Sequence, residues 1–415
     1  MANNNDNKVL NVPPLRFPEF SGEWKMCTIG ELTTKVGSVT PRGGEAVYKT
    51  EGHPFVRSQN VGLGNLLLDD IAFIDEETHL RQKNTELQFN DVLLNITGAS
   101  IGRSALVDKQ IVGGNVNQHV CIIRTKENLV PSFICSFLLS NYGQRQIDSF
   151  QAGGNRQGLN FEQIKSIKIT IPSKDEQIKI AKLLRAIDER IATQNKIIEK
   201  LQSLIKGLVD SLLENPSWEK VYLRSFMQFY STNSLSWEQL SYSNGNVRNL
   251  HYGLIHGFQT SMIDSTLLPR ILPNYQPKQY TVCQDGDVAF ADASEDTNEI
   301  GKAIEFSNTI DVKTVCGLHT IHGRDIKQNT ILGFKGFAFN SRYFHDQVRR
   351  LAQGTKVYSI TAKNLSSCYV YIPDMIKQEN VVRLLNAYEE NLSLNRTLLN
   401  KYEIQKQYLL QQMLI

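Results

Sequence analysis

The most restrictive feature of the sequence is a long helical pattern that occurs twice. The first copy begins with IPSKDEQIKIAKLLRAID at Ile171, and the second begins with IPDMIKQENVVRLLNAYE at Ile372, 201 positions later. After each Ile-Pro, apolar residues recur every seven positions in two rows offset by four. A seven-residue repeat sustained over four or more heptads imposes a left-handed supercoil, so each helix requires a long partner. We therefore predict that the two helices pack against each other as an antiparallel coiled coil.

The predicted seam of this coiled coil is mainly aliphatic, with one amide near the middle of each helix. Gln194 and Asn395 occupy equivalent positions, and mid-helix positions of an antiparallel pair lie close together. A buried amide pair would favour one register over slipped registers, at some cost in stability. Alternatively, both amides face solvent after local unwinding. The seam residues that we single out are Leu184, Ile191, Gln194, Ile198, Leu385, Leu392, Asn395 and Leu399.

The ends of both helices carry recognisable signals. Ser173 and Glu176 form an S-x-x-E pattern, which predicts a capping box at the start of the first helix. Pro216 ends that helix, because proline has no amide to donate and restricts the residue before it. Asp374 is the predicted cap of the second helix.

The segments that precede the helices are also related to each other. QAGGNRQGLNFEQIKSIKITIP from Gln151 aligns with LAQGTKVYSITAKNLSSCYVYIP from Leu351, and NDVLLNITGASIGRSALV from Asn90 resembles GDVAFADASEDTNEIGKAIEF from Gly286. Short strands alternate there with helical pieces and Gly- and Asn-rich loops, which predicts an α+β fold in each segment. In the first segment we predict strands at residues 55–57, 92–96, 120–124 and 167–171, and a helix at residues 131–139.

The sequence lacks the motifs of common catalytic and cofactor sites. It contains no GxxxxGK[ST], no GxGxxG turn between a strand and a helix, and no HExxH. His251 and His256, and likewise His319 and His322, fall in segments that we predict to be strand or loop. We therefore interpret them as structural or surface histidines rather than metal ligands, and we predict no catalytic residue and no metal site.

The cysteines and the N-terminus indicate the cellular setting. The cysteines lie far apart without a CxxC pair, which is typical of reduced, buried thiols in a cytosolic protein. No apolar run approaches the ~20 residues of a membrane span, and MANNNDNKVLNVPPLRF lacks the features of a secretory signal. We predict a flexible polar leader and a cytoplasmic location. The cysteines are Cys27, Cys121, Cys135, Cys283, Cys316 and Cys368.

Polar loops are the candidate binding surfaces. The segments GSVTPRGG, FVRSQNVG, NITGASIGR, GGNVNQHV and QAGGNRQGLN combine glycine with Asn, Gln, Ser and Arg. Arginine matches guanine edges and phosphates, and Asn or Gln matches adenine edges, although ordinary turns use the same residue types. The net charge of +3 permits DNA binding without requiring it. The candidate DNA contacts are Arg57, Asn60, Arg103, Asn117, Arg156, Arg324 and Lys356.

Taken together, the repeat, the two Ile-Pro helix starts and HYGLIH at His251 resemble the specificity subunits of type I restriction–modification systems. The resemblance implies an α+β protein with a pseudo-twofold internal repeat, in which two target-recognition domains are separated by two long helices. The implied boundaries are a leader at residues 1–22, recognition domains at 23–172 and 216–373, and spacer helices at 173–215 and 374–415.

The resemblance also implies partners that this sequence does not contain. Each recognition domain would read half of a split DNA target, and the chain would dock two methyltransferase subunits and the restriction (motor) subunits. The chain itself would be non-catalytic and hold no cofactor. S-adenosylmethionine, ATP and magnesium would come with the partner subunits, and the complex would methylate adenine and cleave DNA. The alternative is a two-domain coiled-coil scaffold that binds proteins and no DNA.

Overall fold

The computed structural model describes residues 11–38, 48–151, 158–258 and 260–415. The chain divides into two units, each of which contains one globular segment and parts of both long helices. Unit 1 comprises Met1–Asn195 and Thr397–Ile415, and unit 2 comprises Lys196–Arg396. This division cuts through both helices, whereas the boundaries expected from the sequence kept each helix separate.

Unit 1 is an α+β unit. Its strands are β1 Lys25–Thr28, β2 Thr33–Gly37, β3 His53–Val56, β4 Ala72–Ile74, β5 Val92–Asn95, β6 Ser104–Leu106, β7 Asn115–Val116, β8 Val120–Thr125 and β9 Lys168–Ile171. Its helices are α1 Ile29–Leu32, α2 Glu76–Arg81, α3 Pro131–Leu139, α4 Asn141–Ser149, α5 Phe161–Ser166 and the long α6 Lys174–Leu213. The two main sheets have the strand orders β2-β8-β5-β6 and β4-β3-β7. The first and last strands of the globular segment, β1 and β9, pair with each other in antiparallel fashion.

Unit 2 contains the corresponding elements. Its strands are β10 Glu219–Tyr222, β11 Met227–Tyr230, β12 Leu240–Ser241, β13 Arg248–Leu250, β14 Met262–Asp264, β15 Arg270–Ile271, β16 Val288–Ala291, β17 Ala293–Ser294, β18 Ala303–Ser307, β19 Thr314–Cys316, β20 Thr320–Asp325, β21 Tyr358–Ser359 and β22 Tyr369–Ile372. Its helices are α7 Leu223–Phe226, α8 Tyr252–Gly257, α9 Phe334–Ala338, α10 Arg342–Leu351, α11 Ala362–Ser367 and the long α12 Met375–Met413.

The strand orders confirm the internal repeat. In unit 2, β11-β20-β16-β18 repeats β2-β8-β5-β6, and β15-β13-β19 repeats β4-β3-β7. Among the described residues, β14 extends the first sheet of unit 2 and β12 extends its second. The predicted strands of the first segment are present within two residues of their expected limits, and α3 spans the predicted helix without change. The α+β class is therefore confirmed.

The long helices are paired in antiparallel fashion within each unit. In unit 1, Asp188 in the first half of α6 forms an ion pair with Lys406 near the end of α12, with Oδ1 and Nζ 2.6 Å apart. In unit 2, Val209 near the end of α6 belongs to the same apolar core as Val381 and Leu385 at the start of α12. The amphipathic faces thus bury apolar side chains against both the partner helix and the adjacent globular segment, which is how long helices gain most of their stability.

The predicted seam residues are buried or half-buried throughout. Gln194 is 5% exposed, and the Nδ2 atom of Asn395 donates to the backbone oxygen of Asn391 at 2.8 Å. These two amides belong to different units, and their pairing stays a prediction.

Residues 11–22 correct the prediction of a flexible leader. The backbone amide of Leu15 donates to the oxygen of Gln412 at 2.9 Å. The Nε and Nη2 atoms of Arg16 bind the two carboxylate oxygens of Glu176 at 2.7 and 2.8 Å. Glu176 is only 1% exposed, so this part of the leader is anchored by a buried charge. Residues 1–10 lie outside the described residues.

The same ion pair changes the predicted capping box. The backbone amide of Glu176 donates to Oγ of Ser173 at 3.4 Å, as the pattern predicts. The Glu176 carboxylate, however, binds Arg16 instead of returning to the cap residue. Asp374 caps α12 as predicted, because its Oδ1 accepts from the Lys377 amide at 3.0 Å.

A buried glutamine joins the start of each long helix to its globular segment. Gln177 donates from Nε2 to the oxygens of Asn128 and Pro172, both at 3.1 Å, and accepts from the Val130 amide at 2.8 Å. Gln378 makes the equivalent three bonds, at 2.9 to 3.0 Å. Both glutamines are 1% exposed. Their hydrogen bonds fix the direction in which each helix leaves the sheet. The partners of Gln378 are Asn329, Pro373 and Ile331.

None of the helices in the described part of the chain is both long and apolar enough to cross a membrane.

Candidate nucleic-acid interface

Several of the polar loops singled out in the sequence meet in unit 1. Asn95, at the end of β5, donates from Nδ2 to the backbone oxygen of Ser58 at 2.8 Å. The amide of Asn117, just after β7, donates to the oxygen of Val56 at 2.9 Å, and Ser38 Oγ donates to the oxygen of Asn117 at 2.9 Å. Loops that are up to 79 residues apart in the sequence are thereby held together.

The loop after β5 joins this group through Thr97. Its Oγ1 lies 2.6 Å from Nδ1 of His119, and its backbone forms an antiparallel bridge with Gly158. We call residues 57–60, 95–103, 117–119 and 158–160 the unit 1 loop cluster. It presents hydroxyl, amide and imidazole groups, which are the hydrogen-bonding groups that read base edges and phosphates.

The predicted contact residues of unit 1 have different roles in this cluster. Arg103 is exposed, and its guanidinium has no hydrogen-bond partner or ion pair among the described residues. Asn117 is half-buried, and its Oδ1 accepts from the His119 amide at 3.1 Å. Arg57 is bound within the loop, because its Nη2 donates to the backbone oxygen of Asp70 at 2.7 Å and to its Oδ2 at 3.1 Å. Arg156 and most of the segment GSVTPRGG lie outside the described residues.

Asn60 is a structural residue in this conformation, contrary to our expectation of a DNA contact. It is 1% exposed. Its Oδ1 accepts from the Arg57 amide at 3.0 Å, and its Nδ2 donates to the oxygen of Leu67 at 2.8 Å. The amide therefore closes the loop and has no free edge for a base, so we no longer expect Asn60 to contact DNA.

The corresponding loops also meet in unit 2. The amide of Asp292, which follows β16, donates to the oxygen of His319 at 3.1 Å, and the oxygen of Asp292 accepts from the Ile360 amide at 2.9 Å. The amide of Tyr252 donates to the oxygen of Leu318 at 3.2 Å. We call residues 251–256, 292–302, 317–319 and 353–359 the unit 2 loop cluster. Its backbone bonds from 292 to 319 and from 360 to 292 repeat those from 96 to 119 and from 159 to 96 in unit 1.

Aromatic and imidazole rings line the unit 2 loop cluster. The ring centroids of Trp237 and His251 are 4.6 Å apart, and those of His251 and Tyr252 are 4.7 Å apart. Tyr252 also contacts His256 and His319 edge-on, at 6.1 and 5.2 Å. Trp237 is 43% exposed and His251 is 3% exposed, so Trp237 is the ring of this group that offers an accessible face for stacking against a base or sugar.

Charge in this cluster is set by burial and by short contacts between imidazoles and carboxylates. His319 Nδ1 lies 3.2 Å from Oδ1 of Asp292, and His256 Nδ1 lies 3.3 Å from Oε2 of Glu299. Burial raises the pKa of Asp292, and burial together with the nearby His319 lowers the pKa of His251. The neutral form of His251 is therefore favoured, and its Nδ1 accepts from the amide of residue 253 at 3.2 Å.

The segment containing HYGLIH is helical, and our prediction of a strand or loop there is wrong. Tyr252–Gly257 forms α8, and His251 is its N-cap. His319 lies in a turn with a φ of 55°, and His322 lies inside β20. The sequence offered one signal for the position of His319 in the loop before β20. His119 and His319 are 200 positions apart, and they precede the corresponding strands β8 and β20.

Arg324 is part of an internal ion pair rather than an open contact. Its Nε and Nη2 atoms bind Oδ1 and Oδ2 of Asp287 at 2.8 and 2.6 Å. The equivalent pair in unit 1 joins Arg124 to Asp91 at 2.7 and 2.6 Å. Both aspartates are almost fully buried. DNA contact by Arg324 would require breaking a buried bidentate pair, so we no longer expect it.

Lys356 keeps the predicted character of a free cation. It is exposed in the loop before β21, and its ammonium group has no hydrogen bond or ion pair within the ranges that the structure describes. Like Arg156 in the first repeat, it stands two residues after a glycine, which is Gly154 in the first copy and Gly354 in the second.

The described residues contain one histidine and cysteine group with metal-ligand spacing. It comprises Cys283, Cys316 and His322, whose ligand atoms all lie within 4.8 Å of one another. We expected no such group, because these residues are 33 and 6 positions apart in the sequence and only the folding of unit 2 brings them together. The other cysteines are buried free thiols.

The fold and the two loop clusters define a class of protein. The chain is an internally repeated α+β protein that presents one polar loop cluster per repeat and carries two long, paired helices. Comparison with known proteins shows what this chain resembles. Residues 21–203 match the model of the type I restriction modification DNA specificity domain, and the chain is similar to type I restriction enzyme specificity subunits.

Two of the similar proteins cover most of this chain, and a third covers just under half of it. The putative type I restriction enzyme MjaX specificity subunit of Methanocaldococcus jannaschii is 21% identical over 86% of this chain and 84% of its own length. The MjaVIII specificity subunit of the same organism is 23% identical over 94% of this chain and 91% of its own length. The EcoKI specificity subunit of Escherichia coli is 22% identical over 46% of this chain and 41% of its own length.

A solved structure supports the fold. The crystal structure of a type I restriction–modification system S subunit from M. genitalium matches with a TM-score of 0.58 and 15% sequence identity. The match covers 97% of this chain and 99% of that chain.

Proposed function

We propose that this chain reads a bipartite DNA target, with one loop cluster for each half-site. The observation that carries the proposal is that corresponding loops meet in both units through equivalent backbone bonds, while their side chains differ. A shared framework with different side chains is what two readers of different short sequences require. The match of residues 21–203 to a DNA specificity domain supports DNA as the ligand.

The two clusters offer different recognition chemistry. In unit 1, the free guanidinium of Arg103 suits a guanine edge or a phosphate, and the half-buried Asn117 suits an adenine edge. In unit 2, Lys356 suits a phosphate, and the exposed Trp237 suits stacking against a base or sugar. The two half-sites are therefore expected to differ in sequence.

The long helices are the proposed spacer between the half-sites. They contain 40 and 39 residues, and at about 1.5 Å per residue each is about 60 Å long. One turn of DNA is about 34 Å, so a target with several unread base pairs between two short half-sites suits this length. A paired helix is stiff, and its length would set the gap.

The helices also carry exposed apolar residues that fit a docking role for protein partners. Ile376, Leu394 and Ile404 are 72%, 70% and 60% exposed. We propose that two methyltransferase subunits dock on this chain and that restriction subunits join them. The chain itself is then non-catalytic, and the partners bring S-adenosylmethionine, ATP and magnesium for adenine methylation and DNA cleavage.

Methylation mapping tests the proposal directly. The chain is assembled with its methyltransferase subunits, and methylated adenines are mapped in DNA of random sequence. We expect two short half-sites at one fixed separation. Methylation without sequence preference, or a single uninterrupted site, would contradict bipartite reading, and failure of the assembly to bind DNA would favour the protein scaffold.

Matched substitutions assign the half-sites. Arg103→Ala is expected to weaken recognition of the unit 1 half-site by about 1–3 kcal/mol if Arg103 reads a base, whereas Lys356→Ala is expected to weaken binding of all sequences alike, because Lys356 is proposed to contact a phosphate. Lys109→Ala and Lys327→Ala are controls, because both residues are exposed and distant from the loop clusters along their strands. Lys109 follows β6 and Lys327 follows β20, whereas the loop clusters lie at the starts of these two strands. Equal effects of control and test variants would remove the loop clusters from the proposal.

A change in helix length tests the spacer. Insertion or deletion of one heptad in one helix is expected to alter the permitted gap or to abolish recognition, because the two helices must stay in register. An unchanged gap in a variant that still methylates DNA would show that the helices do not set the distance.

A further inference from the structure

Three chemically reactive side chains meet in the core of unit 2, apart from its loop cluster. Cys283 precedes β16, Cys316 ends β19 and His322 lies in β20. Their exposed fractions are 2%, 3% and 0%. The two Sγ atoms are 3.7 Å apart, and all three ligand atoms lie within 4.8 Å of one another. We call these residues the thiol–imidazole cluster.

The orientation of His322 is the second observation that points to a ligand. Its Nε2 lies 2.7 Å from Oδ2 of Asp287, and this carboxylate oxygen, which also binds Arg324, acts as the acceptor. Nε2 then donates its proton to this hydrogen bond, and in the neutral imidazole Nδ1 carries a lone pair. Nδ1 is buried and has no hydrogen-bond partner among the described residues, which costs about 1–3 kcal/mol in an interior. A carboxylate behind a histidine whose other nitrogen is free is the arrangement that orients metal-binding histidines.

The internal repeat shows that this cluster is particular to unit 2. The amides of residues 88 and 284 donate to Asp91 and Asp287 in the same way, which aligns the preceding Leu87 with Cys283. Strand pairing likewise aligns residue 116 with 316 and residue 122 with 322. The three unit 1 residues belong to one apolar core cluster and are at most 1% exposed. The apolar residues Leu87, Val116 and Ile122 thus fill this part of the unit 1 core. At the corresponding positions unit 2 has sulfur and nitrogen donors instead.

We propose that Cys283, Cys316 and His322 form a binding site for a thiophilic cation of the Zn²⁺ class. Two sulfur ligands at about 2.3 Å from a tetrahedral Zn²⁺ are about 3.7–3.8 Å apart, which matches the separation of the two Sγ atoms. The ligands are two thiolates and Nδ1 of His322. A water molecule takes the fourth position, and each thiol releases its proton when the ion binds. The bound ion joins β19, β20 and the loop before β16, and so stabilises the core of unit 2.

Zn²⁺ binding by the full chain tests the site. Protein purified under reducing conditions and stripped with a chelator is titrated with Zn²⁺ in competition with a chromophoric chelator. We expect one tightly bound equivalent. Co²⁺ in place of Zn²⁺ is expected to give the charge-transfer absorption of cobalt bound to thiolate. Absence of a stoichiometric site for either ion would overturn the proposal.

Substitutions locate the bound ion. Cys283→Ser, Cys316→Ser and His322→Gln are each expected to weaken binding by at least about 10- to 100-fold, the loss seen when even an outer partner of a metal site is removed. Cys368→Ser is the matched control, because this buried thiol of unit 2 lies outside the cluster, and we expect it to bind as the unaltered protein does. The triple variant Cys283→Leu, Cys316→Val, His322→Ile adopts the unit 1 residues and is expected to fold without binding.

A protection experiment covers the case in which the variants do not fold. Zn²⁺ is expected to protect Cys283 and Cys316 of the unaltered protein from alkylation during partial unfolding, as read by mass spectrometry of peptides. Cys121 and Cys135 of unit 1 are buried internal controls and are expected to react at the same rate with and without the ion. Equal protection of all cysteines, or recovery of Cys283 and Cys316 as a disulfide after reducing purification, would overturn the proposal.

Discussion

Glu389 provides a test of how burial acts on a single carboxyl group. It lies on α12 at a cavity of about 380 Å³ in unit 2. Its carboxyl group accepts from the Ser261 amide at 3.0 Å and from the Ser261 hydroxyl at 3.1 Å. Burial nevertheless raises its pKa to about 7, against the opposing effects of the Ser261 bonds and of Arg396. The native state therefore binds a proton more tightly than the unfolded chain does.

The sign and size of the effect follow from proton linkage. The pKa is about 7 in the folded protein and 4.5 in the unfolded chain. Between these values the native state holds a proton that the unfolded state has lost, so the free energy of unfolding falls as the pH rises from 4.5 to 7. The full difference corresponds to at most about 3 kcal/mol. Glu389→Gln removes this loss, because a neutral amide keeps the shape of the side chain and still accepts from Ser261.

Urea unfolding of the unaltered protein and Glu389→Gln at about pH 5, 6, 7 and 8, on either side of the folded pKa, measures the effect. Trp218 and Trp237 lie in unit 2 and contribute fluorescence from that unit. We expect the variant to be close to the unaltered protein in stability at the lowest pH and to exceed it increasingly towards the highest. Glu390→Gln is the control, because Glu390 is the exposed neighbour on the same helix. A difference that is independent of pH, or a variant that is less stable at the highest pH, would show that Glu389 is not the group whose ionisation destabilises unit 2.

Two further substitutions test contacts inside unit 2. Arg324→Met leaves the buried Asp287 carboxylate without its bidentate partner. We expect it to destabilise unit 2 by about 3 kcal/mol in urea unfolding, because breaking a buried ion pair leaves an uncompensated charge. An effect below about 0.5 kcal/mol would show that the pair is dispensable. Gln378→Leu leaves two backbone oxygens and one amide unpaired at the start of α12 and is expected to cost about 1–3 kcal/mol in the same assay. Lys377→Ala is the control for Gln378→Leu, because Lys377 is the adjacent exposed residue of the same turn. We expect this control to change the free energy of unfolding by no more than about 0.5 kcal/mol. Equal effects of the two variants would contradict the anchoring role of the glutamine.

The sequence predicted the equivalence of the two buried glutamines but not their role as anchors. Gln177 and Gln378 recur 201 positions apart, inside the pattern that identified both helix starts. Their spacing indicated the repeat. Each glutamine, however, makes three hydrogen bonds to backbone groups, and the most distant of these groups is 49 residues away. No local pattern states which backbone groups remain unpaired after the sheet has formed, so their role as anchors emerged from the structure alone.

The candidate DNA contacts show the same limit. Arg103 and Arg324 are indistinguishable as residue types in polar segments, yet the first is exposed and the second is bound to Asp287. The difference lies in β16 and β20, which bring Asp287 next to Arg324 across 37 positions of sequence. A guanidinium pairs with a nearby buried carboxylate, and the pairing of β16 with β20 determines that Asp287 is the neighbour of Arg324.

Features that depend on neighbours along the chain could be predicted from the sequence. The heptad spacing and the Asp374 cap defined the long helices, because helical periodicity and capping act within one or two turns. Three further features became visible only in the folded chain: which polar groups are free, the ion pair between Arg16 and the buried Glu176, and the meeting of the two cysteines and the histidine in the thiol–imidazole cluster. These contacts join distant strands and loops, and burial changes the energy of a charge or a lone pair only after those elements have packed.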